Sequence, residues 1–124
     1  MKASETGLLV WFGVSDLPRA CDFYGEVLGL SLAHLNDQVG WAEFRHPQSG
    51  ARVGLRASDK EEIIPAGGAT LVFDVQDLSV AMADLEKLGV PFLTGPMNLN
   101  GWRFATFIDP DGNQLQLREM TDRE

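Results

Sequence analysis

Apolar and polar residues alternate along this chain in short runs, and two runs switch from strand-like to helical spacing. Gly7 to Val14 is apolar at nearly every position, the pattern of a buried strand. Asp16 then stands where a helix N-cap belongs, with Pro18 in the first turn, where its missing N–H costs nothing. Leu17, Ala20 or Cys21, Tyr24 and Leu28 recur at helical spacing and give one apolar face, and Gly29 stops the helix. Strands are predicted at Ser31–Asn36, Gly40–His46 and Ala51–Ala57, with turns at Asn36-Asp37 and Pro47–Gly50.

The order then repeats. Ala69–Val75 predicts a strand, Asp77 caps a helix over Leu78–Leu88, and Gly89 stops it. The apolar face of this helix is predicted to carry Leu78, Met82, Leu85 and Leu88. Strands follow at Pro91–Pro96, Trp102–Ile108 and Gln114–Glu119, with a turn at Asn98–Gly101 and a tight hairpin at Asp109–Asn113. Val14-Ser15-Asp16-Leu17 and Val75-Gln76-Asp77-Leu78 lie 61 residues apart, as do Gly40-Trp41 and Gly101-Trp102. The chain therefore reads as two β-α-β-β-β modules of an α+β fold. The first covers about 7–57 and the second about 68–119, with a charged, then Pro/Gly-rich linker at 58–67, all within one domain of 124 residues.

Composition narrows the partners. Eighteen acidic against ten basic residues give a net charge of −8, which argues against nucleic acid and anionic membranes. A single cysteine allows no internal disulfide and suits a reducing compartment. No apolar run reaches membrane-span length and no signal-peptide pattern is visible, so the expectation is a cytoplasmic protein.

Val14-Ser15-Asp16-Leu17, Phe23-Tyr24 with Leu28-Gly29-Leu30, and above all Phe107-Ile108-Asp109-Pro110-Asp111-Gly112-Asn113 carry a resemblance. The chain resembles the vicinal oxygen chelate superfamily: glyoxalase I, bleomycin-resistance proteins and extradiol dioxygenases. The resemblance runs from about Leu8 to Glu119 and implies a curved mixed sheet with helices outside and a cup inside. It also implies a homodimer, in some relatives with exchanged modules. The fold hosts many chemistries, so it does not settle function.

In the enzymes of that superfamily a divalent metal takes ligands from the first and last strands of each module. Carried onto this sequence, those places are Leu9, Gly54, Thr70 and Gln116. A divalent metal needs about three protein donors, and a leucine, a glycine, a hydroxyl and one amide do not supply them. The expectation is no metal at the usual site and no cofactor.

Strand alternation predicts which side chains share a face. Val10, Phe12 and Val14 are expected on the helix side, as are Val53 with Leu55, Leu71 with Phe73 and Val75, and Leu115 with Leu117. The cup side then collects Leu9, Trp11, Arg52, Gly54, Arg56, Thr70, Val72, Asp74, Gln116 and Arg118, with Trp41 and Trp102 as pseudo-symmetric walls. Such a lining suits a planar or aromatic ligand, and the arginines suit an acidic group on it. The competing interpretation makes the tryptophans packing or interface residues.

Three functions follow: a metal-free binding protein of the bleomycin-resistance kind, a metal-dependent lyase, isomerase or dioxygenase, or a metal-free enzyme with Glu43 or Asp74 as base. His34 and His46 stand either as a displaced acid–base or metal pair or as ordinary strand-edge residues. Cys21 reads as a near-core thiol more than as a nucleophile. The aspartates around Gly112 read as a turn, being too closely spaced for an EF-hand calcium loop.

Overall fold

The computed structural model describes residues 9–57, 69–99 and 101–121. The chain divides into two compact units, Met1–Ala66 and Gly67–Glu124, so the expected linker at 58–67 lies outside the described residues. Both units are α+β, a helix backed on a four-stranded mixed sheet.

In the first unit the elements are β1 (Leu9–Gly13), α1 (Leu17–Asp22), a π-helical turn (Phe23–Val27), β2 (Ser31–Asn36), β3 (Trp41–Arg45) and β4 (Arg52–Arg56). The sheet order is β1-β4-β3-β2, with β1 parallel to β4 and the other pairs antiparallel. Asp16 caps α1 as expected, accepting the Arg19 N–H at 3.1 Å. The helix continues past Asp22 in wider turns, which keeps Tyr24 on the buried side with Leu17 and Ala20. Gly29, at φ 79°, ends it, and Leu30 drops into the core as its amide returns to the Tyr24 carbonyl. Phe12, Val14, Phe44, Val53 and Leu55 complete this core. Gly40 answers a different need: a Cβ there would stand 1.9 Å from the Ala57 carbonyl oxygen.

In the second unit the elements are β5 (Leu71–Asp74), α2 (Leu78–Lys87), β6 (Phe92–Leu99), β7 (Trp102–Ile108) and β8 (Gln114–Met120), in sheet order β5-β8-β7-β6. Asp77 caps α2 by accepting the Val80 N–H at 3.1 Å, and Glu119 accepts the Leu78 N–H at 2.7 Å. Leu78 and Leu85 are buried as expected, but Leu88 is 57% exposed. The helix ends at Lys87, and the chain turns at Gly89 (φ 87°), so Leu88 leaves the apolar stripe and Val90 fills the core in its place.

Strand β6 runs on to Leu99, through the segment expected to turn at Asn98. Its long pairing with β7, interrupted by irregularities, carries the ladder further than the turn-rich composition suggests. The Asp109–Asn113 hairpin is a closed network. The buried Asp109 carboxylate accepts from Asp111 N (2.9 Å), Asn113 N (2.8 Å) and Asn113 Nδ2 (2.7 Å). These contacts describe a turn braced by its own side chains.

Candidate functional site

Each sheet buries one face against its helix and leaves chemistry on the other. In the first unit the helix-side set is Phe12, Val14, Val53 and Leu55, all buried, so Trp11 stands on the opposite face and is 45% exposed. Register places Trp11 beside Gly54, and Gly54 beside Glu43. Trp41 lies over Gly54 so closely that a Cβ on that glycine would sit 2.2 Å from Trp41 Cη2 and 3.0 Å from Trp11 Cβ. Trp11 and Trp41 meet edge to face, with centroids 6.5 Å apart at 66°. Gly54 is thus the floor under an aromatic platform. Beside it Arg52 Nε stands 3.4 Å from Glu43 Oε2, both side chains about one-fifth exposed (21% and 20%). Arg56 follows two residues along β4.

The second unit uses the same face differently. Arg118 donates its Nε to Asp74 Oδ1 at 2.5 Å, and its guanidinium carbon lies 3.9 Å from the Trp102 ring centroid. Along the sheet, Gln116 donates through Nε2 to Thr106 Oγ1 at 3.2 Å, and the Thr106 backbone N–H donates to Thr94 Oγ1 on the neighbouring strand at 3.2 Å. Val72, the partner of Gln116, is 45% exposed, and Thr70, just before β5, is exposed.

The expected symmetry of Trp41 and Trp102 does not hold. Gly54 and Gln116 correspond, each two pairs before the end of its parallel ladder: Trp11↔Gly54 and Val72↔Gln116. On the next strand their partners are Glu43 and Thr106, which are 63 residues apart, not 61. Trp41 faces Arg56, and its counterpart opposite Arg118 is Phe104. Trp102 stands two residues further out, opposite Met120. Strand β7 is two residues longer than β3 at this end, and two residues preserve the face while shifting the position.

The superfamily's metal would draw on Leu9, Gly54, Thr70 and Gln116, and these residues do not fit it. Two have no side-chain donor atom, which leaves one hydroxyl and one amide oxygen where a divalent metal needs about three protein donors. At position 54 the volume a ligating side chain would use holds the Trp41 ring. Among the described residues, no three His, Cys, Asp or Glu side chains gather at metal-binding spacing.

The histidines do not converge. His34 is exposed on β2, while His46 Nδ1 accepts the Ser49 N–H at 3.0 Å and the Gln48 N–H at 3.3 Å, bracing the β3–β4 turn. Both candidate bases are engaged by arginines, Glu43 by Arg52 and Asp74 by Arg118. Cys21 is partly buried, and desolvation, then the charges of Asp22 and Asp37, raise its thiol above the ordinary value. The Arg118–Trp102 stack is the feature the sequence did not reveal as a unit, since the pair forms only when β7 and β8 align.

Residues 9–117 match the family model described as Glyoxalase/Bleomycin resistance protein/Dioxygenase superfamily. Among solved structures, TnmS3, an antibiotic binding protein from Streptomyces sp. CB03234, is similar at 29% identity and TM-score 0.80, over 97% of this chain and 98% of that one. A glyoxalase/bleomycin resistance protein from the same Streptomyces is 30% identical, with TM-score 0.70, over 88% and 96% of the two chains. The uncharacterized protein YraH of Bacillus subtilis (strain 168) is 28% identical over 97% of this chain and 99% of its own length. Among the described residues, no helix is long and apolar enough to cross a membrane.

Proposed function

The chain belongs to the Glyoxalase/Bleomycin resistance protein/Dioxygenase superfamily, and from that premise we propose that it binds a small planar or aromatic ligand without a metal. The observation that carries this reading is the exposed Trp11, braced by Trp41 on the Gly54 floor. A half-exposed tryptophan fixed by a second ring offers a flat apolar face already ordered before a ligand arrives. In the first unit the candidate contacts are Leu9, Trp11, Trp41, Arg52 and Arg56. In the second unit they are Thr70, Val72, Trp102, Gln116 and Arg118.

The similar Streptomyces protein that binds an antibiotic supports a sequestering role for this chain also. The reading includes a homodimer in the cytoplasm, in keeping with one unpaired cysteine and an acidic surface unsuited to nucleic acid or anionic membranes. A metal-dependent lyase, isomerase or dioxygenase finds no support in the four ligand places. A metal-free enzyme using Glu43 or Asp74 would have to act through a carboxylate already held by an arginine.

The test is calorimetric titration of the purified protein with a panel of planar aromatics, beside elemental analysis of protein prepared without chelator or metal resin. Binding that falls at least tenfold in Trp11→Ala, in protein holding no stoichiometric metal, is the expected result. A stoichiometric divalent metal, or aromatic binding indifferent to Trp11, would overturn the reading.

A further inference from the structure

We propose that Arg118 is an acid-recognition element, selecting planar ligands that carry a carboxylate or another planar oxyanion. This rests on the binding function proposed above and names the ligand class that the second unit's open sheet face prefers. Three observations converge on the guanidinium. Its central carbon lies over the Trp102 ring, 3.9 Å from the centroid. Its Nε is committed to Asp74, so one edge of the fork is anchored. Its terminal Nη1 and Nη2 make no hydrogen bond among the described residues, although the side chain is only 40% exposed.

Arginine's fork matches two oxygens of one carboxylate, and a fork held by stacking and by an anchored Nε loses little freedom when it binds. Stacking on the indole orders the guanidinium beyond what the Asp74 ion pair does alone. The 67% exposed Asp74 keeps that pair at the surface, where such bridges contribute little stability. Val72, half-exposed on the same face two residues along β5 from Asp74, provides an apolar contact for the body of the ligand beside its acidic end. The protein's net charge of −8 repels anions at long range, so any preference for the acid must arise locally.

The experiment compares 2-naphthoate with 2-naphthamide, which share shape and differ in charge, by calorimetry on wild type, Arg118→Gln and Arg118→Lys. We expect naphthoate to bind wild type about tenfold more tightly than naphthamide, the scale of one charge-assisted bond. Arg118→Gln should erase that difference by weakening naphthoate far more than naphthamide. Arg118→Lys should keep part of it, since a lysine has charge without the fork. Equal affinities in wild type, with naphthamide still bound, overturn the acid preference and leave the aromatic function standing. Naphthoate binding that needs Arg118, with no naphthamide binding at all, supports the acid site and overturns the aromatic one. Binding of neither probe overturns both, and an acid preference that survives Arg118→Gln overturns the assignment to this residue.

Discussion

Adding one methyl group at position 54 tests the aromatic platform most directly. In Gly54→Ala the new Cβ would lie 2.2 Å from Trp41 Cη2, 2.7 Å from Cζ2 and 3.0 Å from Trp11 Cβ. Real Cβ atoms do not approach so closely, so Trp41 must swing away or the strand must shift. Two effects compete. Alanine is intrinsically better than glycine in a strand by about 0.5–1 kcal/mol. Overpacking costs about 1–3 kcal/mol, and because Trp41 is half-buried and free to move outward, the lower part of that range applies. The net expectation is a loss of about 1 kcal/mol, seen as a lower urea midpoint at constant m-value. Removing the obstruction should reverse the sign. In a Trp41→Ala background, Gly54→Ala should be neutral or stabilising by about 0.5 kcal/mol, a coupling of about 1.5 kcal/mol across the double-mutant cycle. If Gly54→Ala costs the same with and without the tryptophan ring, Trp41 does not rest on Gly54 and the platform argument fails.

Three further outcomes follow from contacts elsewhere. Asp109→Ala should cost about 3 kcal/mol, because it strands the Asn113 amide and side chain in a buried turn; thermal unfolding would show it, and Asp109→Asn should cost less. Asp16→Ala and Asp77→Ala should each lower stability by about 1 kcal/mol in chemical denaturation, with Asp77→Ala the milder because Glu119 still receives the Leu78 amide. Cys21 should react with a disulfide reagent at pH 8 several-fold more slowly than a free thiol, because its raised value lowers the thiolate fraction there, and Asp22→Asn should speed the reaction. A rate equal to that of free cysteine would contradict the burial that raises it.

Position along the chain was enough to find the elements, because their signals are local. Asp16 and Asp77 cap, Gly29 and Gly89 stop, and alternation in β1, β4 and β8 sorts Phe12 from Trp11 and Leu117 from Arg118. Carried over by the same counting, the resemblance puts the superfamily's metal ligands at Leu9, Gly54, Thr70 and Gln116, which offer one hydroxyl and one amide. It failed where an answer needed two strands at once. Trp41 and Trp102 share a sequence spacing, yet two added residues in β7 give them different neighbours: Gly54 and Trp11 for one, Arg118 for the other. Leu88 fits a helical stripe but follows the last helical residue, where the turn at Gly89 carries it into solvent. Period and capping belong to a few neighbouring residues, and the sequence determines them alone. Cross-strand register joins residues that are distant in the chain, and so the tertiary structure alone decides that Gly54 floors an aromatic platform and that Arg118 is held between Trp102 and Asp74.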